Sequence, residues 1–287
     1  MPTNEPVPET LYHYCSVESF LRIIETRSIH LSSVLGFNDY LETRWIEPLI
    51  REVIRKKTDA HNAAFLDTVL HHYHDNQTIP FMTCFSSDGD TLSQWRAYAA
   101  DGCGFAIGVN PRYFPLRRQA PWVSEEEEHA IGISEVVYDR DAQSDYIAQA
   151  IDSHLASFRA DGAHTMIHHA AECATVLLRD SLIFKNPKFN EELEWRIIYV
   201  PTIIAEEGEE IQIGLQQRPI SDLQFRCSED ALIPYFELPF SEQRAEKALN
   251  EVVLGPKNNT QAFVVRMLLD INGFCDVKVS KSEASYR

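Results

Sequence analysis

Residues 11–33 read LYHYCSVESFLRIIETRSIHLSS, and the change of period along them decides the fold class. Leu11 to Cys15 reads as a strand. Ser16 is a helix N-cap with Glu18 in the first turn, and Phe20, Leu21, Ile23 and Ile24 form an apolar stripe at helical spacing. Ser28 to Ser32 reads as a second strand. A strand, an amphipathic helix and a strand open the fold.

Outward from this unit, the loop VLGFNDY at 34–40 carries the turn formers Gly36, Asn38 and Asp39. Two helices are expected at about 41–57 and 59–74, then a dense apolar strand at 80–86. A helix follows over 91–100, with Gly102 as its C-cap. Strands at 104–109 and 131–138 precede two long helices at 141–160 and 164–182. The C-terminal third is rich in strands, at 194–200, 210–213, 223–227, 232–238, 251–254 and 276–280, with a helix over 260–272 ended by Gly273. No repeat and no Gly/Ser linker divides the chain. The expectation is a disordered arm at 1–10 and a single α+β domain at 11–287. Its sheet is mostly antiparallel, with a helical insertion at about 139–182.

Composition narrows the function. The chain has 287 residues and a formal net charge of −17, a field that repels nucleic acid and anionic membrane at long range. Acidic residues cluster at Glu125 to Glu128 and around Glu206 to Glu210, so a local basic pocket is still open to it. No run of eighteen apolar residues exists and the start lacks the pattern of a secretory signal. Six scattered cysteines without a Cys-x-x-Cys pair suit reduced thiols, and the expected location is the cytoplasm.

The chemistry-bearing residues fall in several groups. Glu192 and Glu194 are two apart at the entrance of the strand 194–200, which would set both carboxylates on one face. They repel if both are ionised, unless a cation, a ligand or a shared proton intervenes, and Arg196 is at hand as an ion-pair partner. His13, between Tyr12 and Tyr14, suits a hydrogen bond to a ribose or amide, or a satisfied half-buried histidine. Asn38 and Asp39 either reach a ligand or cap the next helix with Glu42. Ser86 and Ser87 end a strand at a junction able to meet a phosphate or ribose. Trp95 and Tyr98 either stack on a planar base or belong to the core. The histidines at 71, 72, 74, 164, 168 and 169 look like metal bait, with His164 and His168 spaced for one helix face, yet no metalloprotease signature is complete and no metal is expected. Dinucleotide, phosphate-loop and hydrolase-elbow motifs are all missing.

An ordered set of motifs carries a resemblance. It comprises Leu11-Tyr12-His13-Tyr14, SSVLGFNDYLE at 32–42, Trp95-x-x-Tyr98-Ala99 with Gly102-x-Gly104-Phe105, Glu192-x-Glu194-Trp195-Arg196, Leu254-Gly255-Pro256-Lys257 and SEASYR at 282–287. The set resembles a widespread bacterial family of unknown function, met near phage-defence and abortive-infection genes; Tyr40 departs from it where proline is usual. A further resemblance is to ADP-ribosyltransferases, through the strand histidine, the strand-ending serines, the Glu-x-Glu and the opening strand–helix–strand. It implies that His13 binds NAD, with Tyr14 beside it, and that Ser86 shapes the nicotinamide pocket. Glu194 would stabilise an oxocarbenium-like transition state and Glu192 would orient the acceptor. The implied partners are a nucleotide-like small molecule and a protein or nucleic acid target.

Rival readings are a metal-dependent nuclease built on Asp39, Glu42, Glu192 and Glu194 with Lys185 or Lys257, and a non-catalytic sensor. In the sensor, Trp95, Tyr98 and Arg196 line a ligand pocket and Glu194 pairs with Arg196.

Overall fold

A computed structural model describes residues 6–36, 45–76, 78–114, 116, 131–201, 203–204, 212–213, 220–227, 231–240 and 245–286. The elements are β1 (Leu11–Cys15), α1 (Val17–Thr26), β2 (Ser28–Ser33), α2 (Glu47–Lys57), α3 (Ala63–Asp75), β3 (Phe81–Ser86), α4 (Leu92–Tyr98), β4 (Phe105–Val109), β5 (Ile131–Glu135), α5 (Arg140–Asp161) and α6 (Met166–Ser181). They continue with β6 (Glu194–Tyr199), β7 (Ile203–Ile204), β8 (Gln212–Ile213), β9 (Gln224–Cys227), β10 (Leu232–Pro239), β11 (Leu249–Leu254), α7 (Ala262–Ile271) and β12 (Lys278–Lys281). The architecture is α+β with a large, mostly antiparallel sheet.

The opening unit forms as its periodicities dictate. The Ser16 hydroxyl accepts from the Ser19 backbone N–H and caps α1, while Phe20, Ile23 and Ile24 are buried and Arg27 ends the helix at φ 51°. The one parallel pairing described in the large sheet, β11 with β12, is joined by the crossover helix α7.

The sheet branches at β3. One edge of β3 pairs with β6 along its whole length, from Phe81↔Tyr199 to Ser86↔Glu194. The other edge is shared: β1 meets it at Tyr12↔Ser86, and β2 meets it at Ser32↔Met82 and Ser33↔Phe81. Two arms leave from there, β1-β4-β11-β12 and β2-β10-β9, and the strands part over Thr83 to Phe85. We call this parting the fork.

Both faces of the sheet are covered. On one, Phe81, Phe85, Trp195 and Ile197 pack with Phe20, Ile24, Val265 and Leu269 from α1 and α7. On the other, Met82 and Ile198 pack under the helices α2, α3, α5 and α6. A smaller cluster joins Tyr14, Trp95 and Ala106 beneath α4. Burial on both faces explains why β6 reads as a nearly continuous apolar run.

Candidate functional site

Two groups of polar side chains stand out, one beneath the helices and one at the fork. The first contains the Glu-x-Glu motif. Glu192 ends a 3-10 turn, Pro187–Glu192, and Leu193 follows at φ 46°, so Glu192 lies outside the strand. The two carboxylates therefore converge by the turn of the chain and not by strand alternation. Lys185 stands between them, its Nζ 2.5 Å from Glu192 Oε2 and 2.8 Å from Glu194 Oε2. Arg196 donates from Nε to Glu194 Oε1 at 2.8 Å and from Nη2 to Oε2 at 3.1 Å, a two-pronged pair. Its Nη1 donates to the Leu182 carbonyl at 2.8 Å, and the Glu194 N–H donates to the Tyr138 hydroxyl at 3.1 Å.

All four charged side chains are buried. Burial pushes the Glu194 carboxyl up, but the Arg196 guanidinium and the Lys185 ammonium overcome it and hold it at about 2. The two cations favour the ionised form of Glu194. Two acids balance two bases, so the strain expected of paired carboxylates is relieved internally. This group ties the end of α6, the turn 187–192 and β6 together.

The second group sits at the fork. Where β1 leaves β3, the Cys84 carbonyl loses the strand partner that a ladder would provide, and His13 Nδ1 donates to it at 3.0 Å. The ring lies 5.7 Å from that of Phe85. Across the gap, His30 stacks on Tyr235 with centroids 4.1 Å apart. Arg22 reaches from α1 and donates from Nη2 to the Tyr235 hydroxyl at 2.8 Å. Arg226 on β9 donates to Ser32 Oγ at 3.4 Å. Glu237 lies 3.7 Å from His30 Nε2 and 3.8 Å from Arg22 Nη2. Burial lowers His30 to about 4, helped by the positive charge of Arg22, Arg226 and His13. Burial also lowers His13, partly offset by its bond to the Cys84 carbonyl.

The structure places the residues that the sequence singled out as follows. His13 and Glu194 lie on opposite faces of the sheet. Tyr12, Ser86 and Glu194 are successive cross-strand partners, so their side chains share a face and His13, next to Tyr12, projects to the other. Trp95 takes the core alternative: it is fully buried, its Nε1–H donates to Asp90 Oδ1 at 2.7 Å and its ring meets that of Tyr14 edge-on. Arg196 is buried together with Glu194. Tyr14 is a brace, donating to the Asp88 carbonyl and accepting from the Thr91 N–H, both at 2.9 Å.

Ser86 is buried, accepts from the Asp88 N–H at 3.2 Å and faces Glu194 across the ladder. The Ser87 N–H donates to the Leu193 carbonyl at 3.0 Å. Tyr98 is half exposed, with its hydroxyl 3.5 Å from Glu192 Oε1. Asn38 and Asp39, with Glu42, lie outside the described residues. His164 belongs to a separate 3-10 turn, so it shares no helix face with His168. Arg22, His30, Arg226, Tyr235 and Glu237 were missed. Only the pairing of β2 with β10 and of β10 with β9 gathers them, and no local pattern signals it.

The fold and the two groups define an α+β protein with a branched sheet and a cationic fork. Residues 94–197 match the model of a family described as protein of unknown function (DUF2971). That stretch runs through α4, β4, β5, α5, α6 and the charged residues up to Arg196. No curated protein and no solved structure matches the chain. Among the described residues, no helix is long and apolar enough to cross a membrane.

Proposed function

We propose that the protein binds an NAD-like dinucleotide at the fork and uses it for ADP-ribosyl transfer. One observation supports the ligand class above others. In a chain of net charge −17, Arg22, Arg226 and His13 gather around His30 at the fork. Among the described residues the half-buried Arg226 side chain makes a single hydrogen bond, the 3.4 Å contact with Ser32. A guanidinium carries five donors, and a pyrophosphate is the ligand whose geometry and charge use them. The resemblance of residues 11–33 to ADP-ribosyltransferases names the dinucleotide.

In this reading Glu194 is a structural acid, and the carboxylate available at the fork is Glu237. The bond from the ribose anomeric carbon to nicotinamide breaks, and nicotinamide leaves with the electron pair. Glu237 stabilises the positive charge that develops, the acceptor's nucleophile bonds to the anomeric carbon, and its proton passes to solvent. A role in phage defence and a cytoplasmic location are part of the same proposal.

A sensor that holds the nucleotide without cleaving it is the second reading, favoured by the enclosure of Glu194 with Arg196. A nuclease is disfavoured, because Lys185 and Arg196 neutralise Glu192 and Glu194 and leave no surplus negative charge for a divalent ion.

The test is incubation with NAD labelled in its adenylate half, together with a cell lysate. Transfer predicts released nicotinamide and labelled acceptor, both lost in Glu237→Gln while NAD still binds. Binding without nicotinamide release supports the sensor. Absence of NAD binding refutes both.

A further inference from the structure

We propose that the helical hairpin of α5 and α6 carries a site for a divalent transition-metal ion, zinc in the first instance, held by His154, His169 and Glu172. The site is separate from the fork and does not depend on the nucleotide reading. His154 comes from α5, and His169 and Glu172 from one face of α6, three residues apart. One donor atom from each lies within 4.8 Å of the others.

The spacing is closer to coordination than that limit suggests. Glu172 Oε2 is 3.2 Å from His169 Nδ1 and 3.7 Å from His154 Nδ1. Donors bound at 2.0–2.1 Å around a tetrahedral ion stand about 3.3 Å apart. Two imidazoles and a carboxylate, with the fourth position left to water, form a set that borderline divalent ions accept.

A second observation concerns orientation. The other ring nitrogen of His169, Nε2, lies 2.9 Å from Asp161 Oδ2 at the end of α5. Metal-bound histidines hold the ring in this way, with the free N–H on a carboxylate, which fixes the tautomer and aims the second nitrogen at the ion. His169 is almost fully buried, so its ring is already set. A bound ion would join the two helices near their connection, where the turn Ala163–Thr165 links them.

The experiment uses the full chain after treatment with chelator. Zinc is titrated by calorimetry, and cobalt serves as a spectroscopic probe of geometry. The proposal predicts one ion per chain, an intense tetrahedral cobalt absorption, and a melting temperature that rises with zinc. Asp161→Asn should weaken binding about 10-fold to 100-fold, as loss of an outer carboxylate does. Glu172→Gln alters a half-exposed side chain, keeps the fold and should abolish stoichiometric binding, whereas His164→Ala should leave it unchanged. Failure of the wild type to bind an equivalent of either ion, or equal binding by Glu172→Gln, overturns the proposal.

Discussion

His13 and Glu194 project from opposite faces of the sheet, and the strand between them, β3, engages both through one residue. The Cys84 carbonyl takes the His13 N–H, and the Cys84 side chain hydrogen-bonds to Glu194. The imidazole closes a gap where strands diverge, and the carboxylate anchors a charge network under the helices.

Breaking that network should be costly. Glu194→Gln removes one charge and leaves Arg196 and Lys185 underpaired in a dry environment, at a cost of about 3–5 kcal/mol. Urea unfolding would show it as a lower midpoint with an unchanged slope. A variant as stable as the parent would mean that water reaches the cluster.

Acid should reveal the same acid. Glu194 is held at about 2, below the ordinary 4.5, so its stabilising contribution is complete above 4.5 and is lost as pH falls through 2. Far-ultraviolet dichroism across that window should show a loss of stability that is reduced in Glu194→Gln.

His30 behaves oppositely in charge but with the same slope. Its folded value of about 4 lies below the ordinary 6.5, so the folded state prefers the neutral ring. That contribution is full above pH 6.5 and fades as pH falls toward 4. Imidazole resonances should show His30 neutral at pH 6, and Arg22→Ala should raise its titration midpoint. A midpoint near 6.5 in the parent would contradict the burial of the ring and the positive charge beside it.

The glycines of two separated motifs pack against each other. A side chain on Gly104 would place its first carbon 2.0 Å from the Cys15 carbonyl oxygen, and one on Gly255 would place it 2.3 Å from that of Gly102. The Gly255 N–H donates to the Gly104 carbonyl at 3.0 Å. Gly104→Ala should cost about 3 kcal/mol or more, because backbone and not a flexible side chain stands in the way. Thermal melting checks it, and a shift of under a degree would refute the close approach.

Local features were legible in the sequence where one residue sets one element. Ser16 caps α1, Gly273 follows α7 at φ 75°, and β1, β2, β3 and β6 begin within a residue of their expected places. The predicted helix at 41–57 is described only over Glu47–Lys57, with residues 41–44 outside the description. The strand at 131–138 ends early, at Glu135, because Val137 leaves β5 to bridge with Phe184. What the sequence hid is long-range. Nothing local says that β1 and β2 share one edge of β3, yet that sharing creates the fork and aims the His13 ring at the Cys84 carbonyl. Likewise Glu192 and Glu194 look like a strand pair until Leu193, in a left-handed conformation, separates them. Lys185, nine residues before Glu194, is the cation the motif called for, but spacing alone could not bring it there.

The most direct measurement is calorimetric titration of ADP-ribose into the parent and into Arg22→Ala/Arg226→Ala, since this ligand keeps the pyrophosphate and cannot release nicotinamide. The account predicts one molecule bound per chain, with affinity at least about 10-fold weaker in the double variant, the size expected for losing charged hydrogen bonds, and nearly the same melting temperature. Equal affinity in the two proteins, or no binding to the parent, would contradict it.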